Sequence, residues 1–150
     1  MALLALEACT MATTVTRVID GDTIEVNTAG TIRKVRYIGM DTPELNDKRT
    51  EVRALAQEAT RYNGQLVEGK RVRLEKDISE TDRYRRLLRY VYVGDLFVNA
   101  ELVRSGYAQV ATYPPDVKYQ DLLIQLQREA KEAGRGLWGL QISPSTQGRR

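Results

Sequence analysis

The chain has 150 residues, of which 42% are hydrophobic and 29% are charged, and its formal net charge is +3. This balance is typical of one globular domain and argues against wholesale disorder, a coiled coil or a membrane-spanning segment. The chain has no histidine and a single cysteine, Cys9, which excludes an intrachain disulfide, a cysteine-based zinc site and every mechanism that needs an imidazole. Acid–base chemistry must then come from Asp, Glu, Tyr, Lys or Arg, and a metal must bind among oxygen atoms.

The N-terminal segment, residues 1–12, is predicted to lie outside the folded domain. It contains a short apolar stretch followed by Glu7 and Cys9. The stretch is compatible with the remnant of a secretion signal, or with a lipoprotein signal in which Cys9 is modified. It lacks a basic segment in front, however, and Glu7 is unusual just before a cleavage site. A wrongly assigned start codon or an unstructured N-terminus explains the segment equally well.

Three short strands are predicted within residues 14–38. β-branched residues alternate with polar ones, and two turns interrupt them, one at Asp20-Gly21-Asp22 and one at Ala29-Gly30. This pattern predicts a β-meander. Pro43 ends it, because proline cannot continue a hydrogen-bonded ladder.

The rest of the chain is predicted to alternate helix and strand. Apolar residues at helical spacing predict a helix over 52–66 that stops by Gly69, and two strands follow, around residues 72–74 and 87–93. Asn99 is a good N-cap for a short helix over 100–105, and Asp116 is expected to cap the last helix. Residues 141–150 are predicted to form a disordered basic tail. The order predicts a mainly β, α+β domain over residues 13–140, a five-stranded barrel with three helices.

Positive charge is concentrated in residues 70–89, which carry a net charge of +4, whereas the remainder of the chain sums to −1. A basic segment of this kind suits a polyanionic partner such as a nucleic-acid backbone. Charge alone is equally typical of a solvated strand and turn with salt-bridged side chains.

Four acidic residues stand where neighbouring strands of the meander end. Asp20 and Asp22 lie on the first turn, and Asp41 and Glu44 follow the third strand. Carboxylates that converge without histidine or cysteine favour a hard cation such as Ca²⁺, Mg²⁺ or Mn²⁺. Taken singly, Asp-Gly-Asp is also typical of an ordinary turn, and Asp-Thr-Pro of a helix start.

Two arginines accompany these carboxylates. Arg36 lies on the strand that leads into Asp41, and Arg86 stands at the entry to the fifth strand. Guanidinium groups bind two phosphate oxygens at once, and with a cation they stabilise the charge that develops when a phosphodiester is attacked. A carboxylate that is not a metal ligand, here Glu44, is the candidate to position or deprotonate water. The set predicts cleavage of phosphoryl esters.

The sequence resembles the staphylococcal nuclease (thermonuclease) family over about residues 13–140. Several motifs in the same order carry the resemblance, and together they are far more specific than any one of them. They are VIDGDTI at 18–24, VRYIGMDTPE at 35–44, TDRYRR at 81–86, YVY at 90–92, VNAELVRSG at 98–106 and GLW at 136–138.

The resemblance implies an OB-fold barrel with three helices that acts as a Ca²⁺-dependent endonuclease on DNA and RNA. Asp22 and Asp41 match the carboxylate ligands of Ca²⁺, with the backbone carbonyl of Thr42 as a third ligand. Asp20 matches a neighbouring acid, and Glu44 matches the proposed general base. The N-terminal segment and the resemblance together favour a secreted or envelope-associated location, with the cytoplasm as the alternative. A monomer with no stable membrane insertion is expected.

The same resemblance assigns the substrate side of the site. Arg36 and Arg86 match the two phosphate-binding arginines, and Arg83 and Tyr84 match residues near the phosphate and base of the nucleotide. Tyr113 is the candidate for a second tyrosine of that pocket, one residue after the expected position. Arg85 replaces the glycine that is usual in the family. A non-catalytic OB-fold module that binds nucleic acid or protein is the alternative.

Overall fold

The β-branched first half of the chain forms the antiparallel meander that its alternation predicts. The structure is a computed structural model that describes residues 11–140. In chain order its strands are β1 (Thr13–Asp20), β2 (Thr23–Thr28), β3 (Thr31–Tyr37), β4 (Met40–Asp41), β5 (Arg71–Glu75), β6 (Leu87–Val93), β7 (Leu96–Phe97) and β8 (Gln109–Val110). Its helices are α1 (Thr50–Val67), α2 (Val98–Arg104), α3 (Gln120–Glu132) and a 3₁₀ helix (Gly136–Gly139).

Five of these strands close into a barrel. β1 pairs with β2 on one side and with β5 on the other, β2 pairs with β3, and β5 pairs with β6, all antiparallel. A parallel pairing of β3 with β6, which aligns Arg36 with Leu88, closes the ring. The predicted α+β class, a five-stranded OB-fold barrel with three helices, is therefore confirmed. The closing pair also brings the end of β3 beside the entry to β6.

The barrel interior and the inner faces of the helices form one hydrophobic core. Val15, Ile24, Val35 and Tyr37 point inward from the meander, and each is at most 1% exposed. The core continues into the helices, because side chains of α1, α2 and α3 belong to the same cluster. Burial of this kind contributes about 1.5–3 kcal/mol for each large apolar side chain. It fixes the strand ends that carry the polar residues described below.

Asn99 has a different role from the predicted one. Helix α2 begins at Val98, so Asn99 lies within it, and its side chain is fully buried. The side chain accepts the N–H of Val91 at 2.9 Å and donates to the carbonyl of Ile38 at 2.9 Å. These two backbone groups are buried and need partners. The prediction of an N-cap was wrong, because the asparagine instead joins β6 to the turn between β3 and β4.

Asp116 does not cap α3 either. That helix starts at Gln120, and its first turn has no side-chain cap. The Asp116 carboxylate instead accepts the N–H groups of Ile78 and Ser79, at 3.0 and 2.8 Å. The residue therefore ties the loop after β5 to the segment before α3.

The short strands β4 and β8 were not predicted from the sequence. β4 pairs with β8, and this two-residue ribbon is too short to show a period. No helix starts at Asp41-Thr42-Pro43, because α1 begins only at Thr50. The N-terminal residues 1–10 and the predicted tail, residues 141–150, lie outside the described residues. Within residues 11–140, no helix is long and apolar enough to cross a membrane.

Candidate active site

The turn between β1 and β2 packs directly against the residues that follow β4. The Asp22 carboxylate accepts the N–H of Thr42 at 3.0 Å and the hydroxyl of Thr23 at 3.0 Å. Gly21 permits this approach, since a Cβ atom there would lie 2.7 Å from Cγ2 of Thr42. The predicted convergence of the two strand ends is thus present in the structure.

Arg36 lies between the two aspartates of these strand ends. Its Nη2 lies 3.3 Å from Oδ2 of Asp22 and also forms an ion pair with the Asp41 carboxylate. Its Nη1 donates to the carbonyls of Tyr37 and Met40, at 2.9 and 3.0 Å. Burial lowers the pKa of Arg36, but the charges of Asp22 and Asp41 outweigh burial and raise it. The guanidinium is therefore charged and held at four points before any ligand binds.

Asp20 adds a third carboxylate to the group. Burial, followed by the neighbouring charge of Asp22, raises the pKa of Asp20 to about 6. Its Oδ1 accepts the N–H of Asp22 at 3.0 Å, and its carbonyl accepts Nδ2 of Asn63, on α1, at 3.0 Å. Two carboxylates thus contact the buried arginine, and the charge of a third, Asp20, also acts on it. This excess of negative charge suits a bound cation.

The donors present fit a hard cation only in part. Within residues 11–140, no group of three or more Asp, Glu, Cys or His side chains is arranged to hold a metal by itself. The carboxylates of Asp22 and Asp41 and the carbonyl of Thr42 offer oxygen atoms of the right chemical type. Because Ca²⁺ takes about 6–8 oxygen ligands, water and a bound phosphate would have to supply the rest.

A cavity of about 280 Å³ opens beside Arg36. Five predicted site residues line it together: Arg36, Arg83, Tyr84, Arg86 and Tyr113. Apolar side chains, among them Met40 and Leu88, form part of its wall. Arg36 is the residue that joins this cavity to the aspartates behind it. The fold therefore gathers the arginines, the tyrosines and the acidic turn at one place.

The loop between Thr81 and Leu87 holds Arg86 at the cavity. Asp82 accepts the backbone N–H groups of Tyr84 and Arg86 at 2.9 and 3.0 Å, and its other oxygen accepts Nε of Arg86 at 2.7 Å. The sequence analysis did not single out Asp82. An aspartate that begins a short polar loop is typical of turns in which a side chain accepts backbone N–H groups. The position of Asp82 in the sequence could therefore have predicted this role.

Arg85 adopts a left-handed backbone conformation, with φ of +63°. In the family that the sequence resembles, this position is usually glycine. Glycine adopts the left-handed conformation without a steric penalty. Arg85 takes this conformation while the next residue, Arg86, is hydrogen-bonded to Asp82 through its backbone N–H and its Nε.

Two tyrosines present their rings at the cavity. Tyr84 is 62% exposed, its hydroxyl accepts Nη2 of Arg83 at 2.7 Å, and the Arg86 guanidinium lies 5.4 Å from its ring centre. Tyr113 is 55% exposed, and its hydroxyl donates to Oδ2 of Asp41 at 3.4 Å. The position at which the resemblance expects the second tyrosine is Thr112. Thr112 is not among the residues that line the cavity, whereas Tyr113 is.

Glu44, like Asp20, Asp22 and Asp41, is not among the residues that line the cavity. It is exposed and lies three residues after Asp41. The segment that follows is closed by Asp47, whose carboxylate accepts Nε and Nη2 of Arg49, each at 3.0 Å. The hydrogen bonds of Arg49 lower the pKa of Asp47 to about 2. Glu44 therefore stands at the start of a short, tethered loop that leads into α1.

Comparisons with known proteins identify the family of the chain. The model of the staphylococcal nuclease homologue family matches residues 34–139. The chain is 40% identical to a thermonuclease of Staphylococcus intermedius over 83% of this chain and 74% of that protein, and 40% identical to a thermonuclease of Staphylococcus hyicus over 83% and 73%. It is also 39% identical to endonuclease YncB of Bacillus subtilis (strain 168), over 83% of this chain and 60% of that protein. The chain belongs to the staphylococcal nuclease family.

Proposed function

We propose that this protein is a Ca²⁺-dependent endonuclease that hydrolyses phosphodiester bonds of DNA and RNA. The observation that carries the proposal is the position of Arg36. One buried guanidinium touches two aspartates and also lines a cavity that contains Arg86 and two exposed tyrosines. The relatives named as thermonucleases and endonucleases support the same reaction class.

In this proposal, Asp22, Asp41 and the carbonyl of Thr42 hold the cation, with Asp20 behind them. When bound, the cation neutralises charge on phosphate oxygens and makes water easier to deprotonate. These residues supply fewer oxygens than Ca²⁺ prefers. We therefore expect loose binding of the ion without substrate and tighter binding when a phosphodiester adds its own oxygen atoms.

Arg36 and Arg86 are assigned to the phosphate. Both guanidiniums are positioned by carboxylates before substrate arrives, so they need no reorganisation when charge develops on the phosphoryl oxygens. Arg86 is also assigned to assist the leaving 5′-oxygen. Loss of one such preorganised donor typically costs about 3–4 kcal/mol, or roughly 10²–10³ in rate.

Glu44 is assigned to the attacking water, as general base or as the group that orients it. This role is supported by the match of Glu44 to the family motif at residues 35–44 and by its exposed position three residues after Asp41. Arg83, Tyr84 and Tyr113 are assigned to the nucleotide. Because a base must be unpaired to stack on an exposed tyrosine, we expect single-stranded or locally open substrates to be preferred.

The test uses the purified chain with plasmid, heat-denatured DNA and RNA, each with Ca²⁺, with Mg²⁺ and with a chelator. We expect cleavage with Ca²⁺ that stops with chelator. Glu44→Gln and Arg86→Gln should lose most of the activity, whereas the exposed helix variants Glu58→Gln and Arg128→Gln serve as matched controls.

Two results would contradict the proposal. Full activity of Glu44→Gln or Arg86→Gln would refute the assigned roles. Oligonucleotide binding without turnover under any divalent ion would favour the non-catalytic OB-fold module. A monomeric state and a secreted or envelope-associated location are parts of the same proposal, and size measurements and fractionation of cells would test them.

A further inference from the structure

The outer face of β3 carries a second cation directly beside Arg36. Val35 and Tyr37 point into the barrel, so Arg36 and the residue two places before it, Lys34, share the outer face. Their Cα atoms are about 7 Å apart, because a strand rises about 3.3 Å per residue. Lys34 is exposed, and it is not among the residues that line the cavity.

Lys34 stands beside the seam where the barrel closes. The parallel pairing of β3 with β6 begins at Val35 and Leu87. Lys34 is the residue directly before that pair on β3, and Arg86 is the residue directly before it on the approach to β6. Lys34 is thus next to Arg36 on the outer face of β3, at the end of the seam where the loop that carries Arg86 enters β6.

Lys34 makes no ion pair with any residue in the described range 11–140. Glu25 lies opposite it on β2, but its carboxylate is engaged by the Thr16 hydroxyl at 3.2 Å and by Arg17 at 3.5 Å. The positive charge of Lys34 is thus available for a partner. An exposed ammonium in this position suits a phosphate group, since each cation that meets a phosphate releases a condensed counterion.

We propose that Lys34 binds the phosphate next to the one held by Arg36 and Arg86, so that the bound strand continues along β3. This inference rests on the proposed function, and it names the substrate more closely as a polynucleotide that extends beyond the scissile step. Lys34 is a binding residue in this proposal and takes no part in the chemistry.

The experiment compares Lys34→Gln with Arg33→Gln. Arg33 has the same charge and is also exposed, but it pairs with Val26 and belongs to the opposite face of β3. Binding of a fluorescent twelve-nucleotide oligothymidylate and of a thymidine dinucleotide is measured by anisotropy at several salt concentrations. Both variants are made in a Glu44→Gln background so that the substrate is not consumed.

Lys34→Gln should weaken binding of the twelve-nucleotide strand about twofold to fivefold, as an exposed charge pair would. The slope of log K against log salt should become shallower by about 0.7, the value for one phosphate contact on a single strand. The loss should be larger for the long strand than for the dinucleotide, and Lys34→Arg should restore binding. Arg33→Gln should show none of these changes.

An equal effect of Arg33→Gln, or an equal loss for both ligands, would overturn the proposal, because either would mean a diffuse charge effect. The binding measurement tests the role of Lys34 independently of whether the chain is a nuclease. If the unmodified chain hydrolyses nothing, that function fails, while the length-dependent binding measured on the same chain still decides the role of Lys34.

Discussion

The Asp82 carboxylate holds Arg86 at two points, its backbone N–H at 3.0 Å and its guanidinium Nε at 2.7 Å. One side chain thereby fixes both the path of the loop and the direction of the arginine. Arg86, held in this way, is one of the residues that line the cavity. In the proposed enzyme, Asp82 is a positioning residue for the phosphate-binding arginine.

Replacement of Asp82 should therefore impair activity although it touches no substrate. We expect kcat/KM of Asp82→Ala to fall about 10-fold to 100-fold, since a misplacement of about 1 Å carries a cost of that size. Asp82→Asn keeps an oxygen acceptor for the backbone but replaces the carboxylate that pairs with the Arg86 guanidinium by a neutral amide. Its loss of kcat/KM should therefore be intermediate. Asp95→Ala, an exposed aspartate at another turn, is the control. Wild-type kinetics for Asp82→Ala would show that Arg86 needs no tether.

Arg85→Gly should stabilise the fold. A non-glycine residue in the left-handed region destabilises the folded state by about 1–2 kcal/mol. Glycine removes this cost, but it loses more chain entropy on folding, which offsets about 0.5–1 kcal/mol of the gain. The free energy of unfolding, measured by urea denaturation, should rise by about 0.5–1 kcal/mol. Arg85→Ala removes the same charge but keeps the Cβ atom, so it separates backbone strain from charge. Equal stabilisation by both variants would assign the effect to charge.

Asn99→Ala should destabilise the protein strongly. The change leaves the N–H of Val91 and the carbonyl of Ile38 without their partner, and an unsatisfied buried group costs about 1–3 kcal/mol. We expect a loss of about 2–4 kcal/mol in the free energy of unfolding. Asn46→Ala, at an exposed position, should change it by less than about 0.5 kcal/mol. A small effect at Asn99 would mean that water replaces the amide.

The Asp47–Arg49 pair predicts a pH effect in the loop after Glu44. The hydrogen bonds from Arg49 lower the pKa of Asp47 from 3.8 to about 2 in the folded state. The pair therefore contributes stability that is present above about pH 4 and is lost as the pH falls toward 2. Carbon NMR titration of the Asp47 carboxyl should show a midpoint near 2, and Arg49→Gln should return it toward the ordinary value. An ordinary midpoint in the unmodified protein would contradict the pair.

The sequence by itself determined the β-meander and the residue types available for a site. Alternation in residues 14–38 predicted the meander, because one face of each strand must be buried. Order and spacing predicted that Asp22, Asp41 and Arg36 would meet, because adjacent strand ends converge. These patterns are local and repeat along the chain, so they can be recognised without coordinates.

Tertiary structure alone decided how the polar residues are used. Asn99 and Asp116 look like helix caps in the sequence, but in the structure their side chains form hydrogen bonds with backbone groups of other segments of the chain. The cavity likewise depends on the parallel pairing of β3 with β6, which joins segments about 50 residues apart. Hydrogen bonds between such distant segments leave no periodic pattern in the chain, and only the closed barrel brings Arg36 and Arg86 to the same cavity.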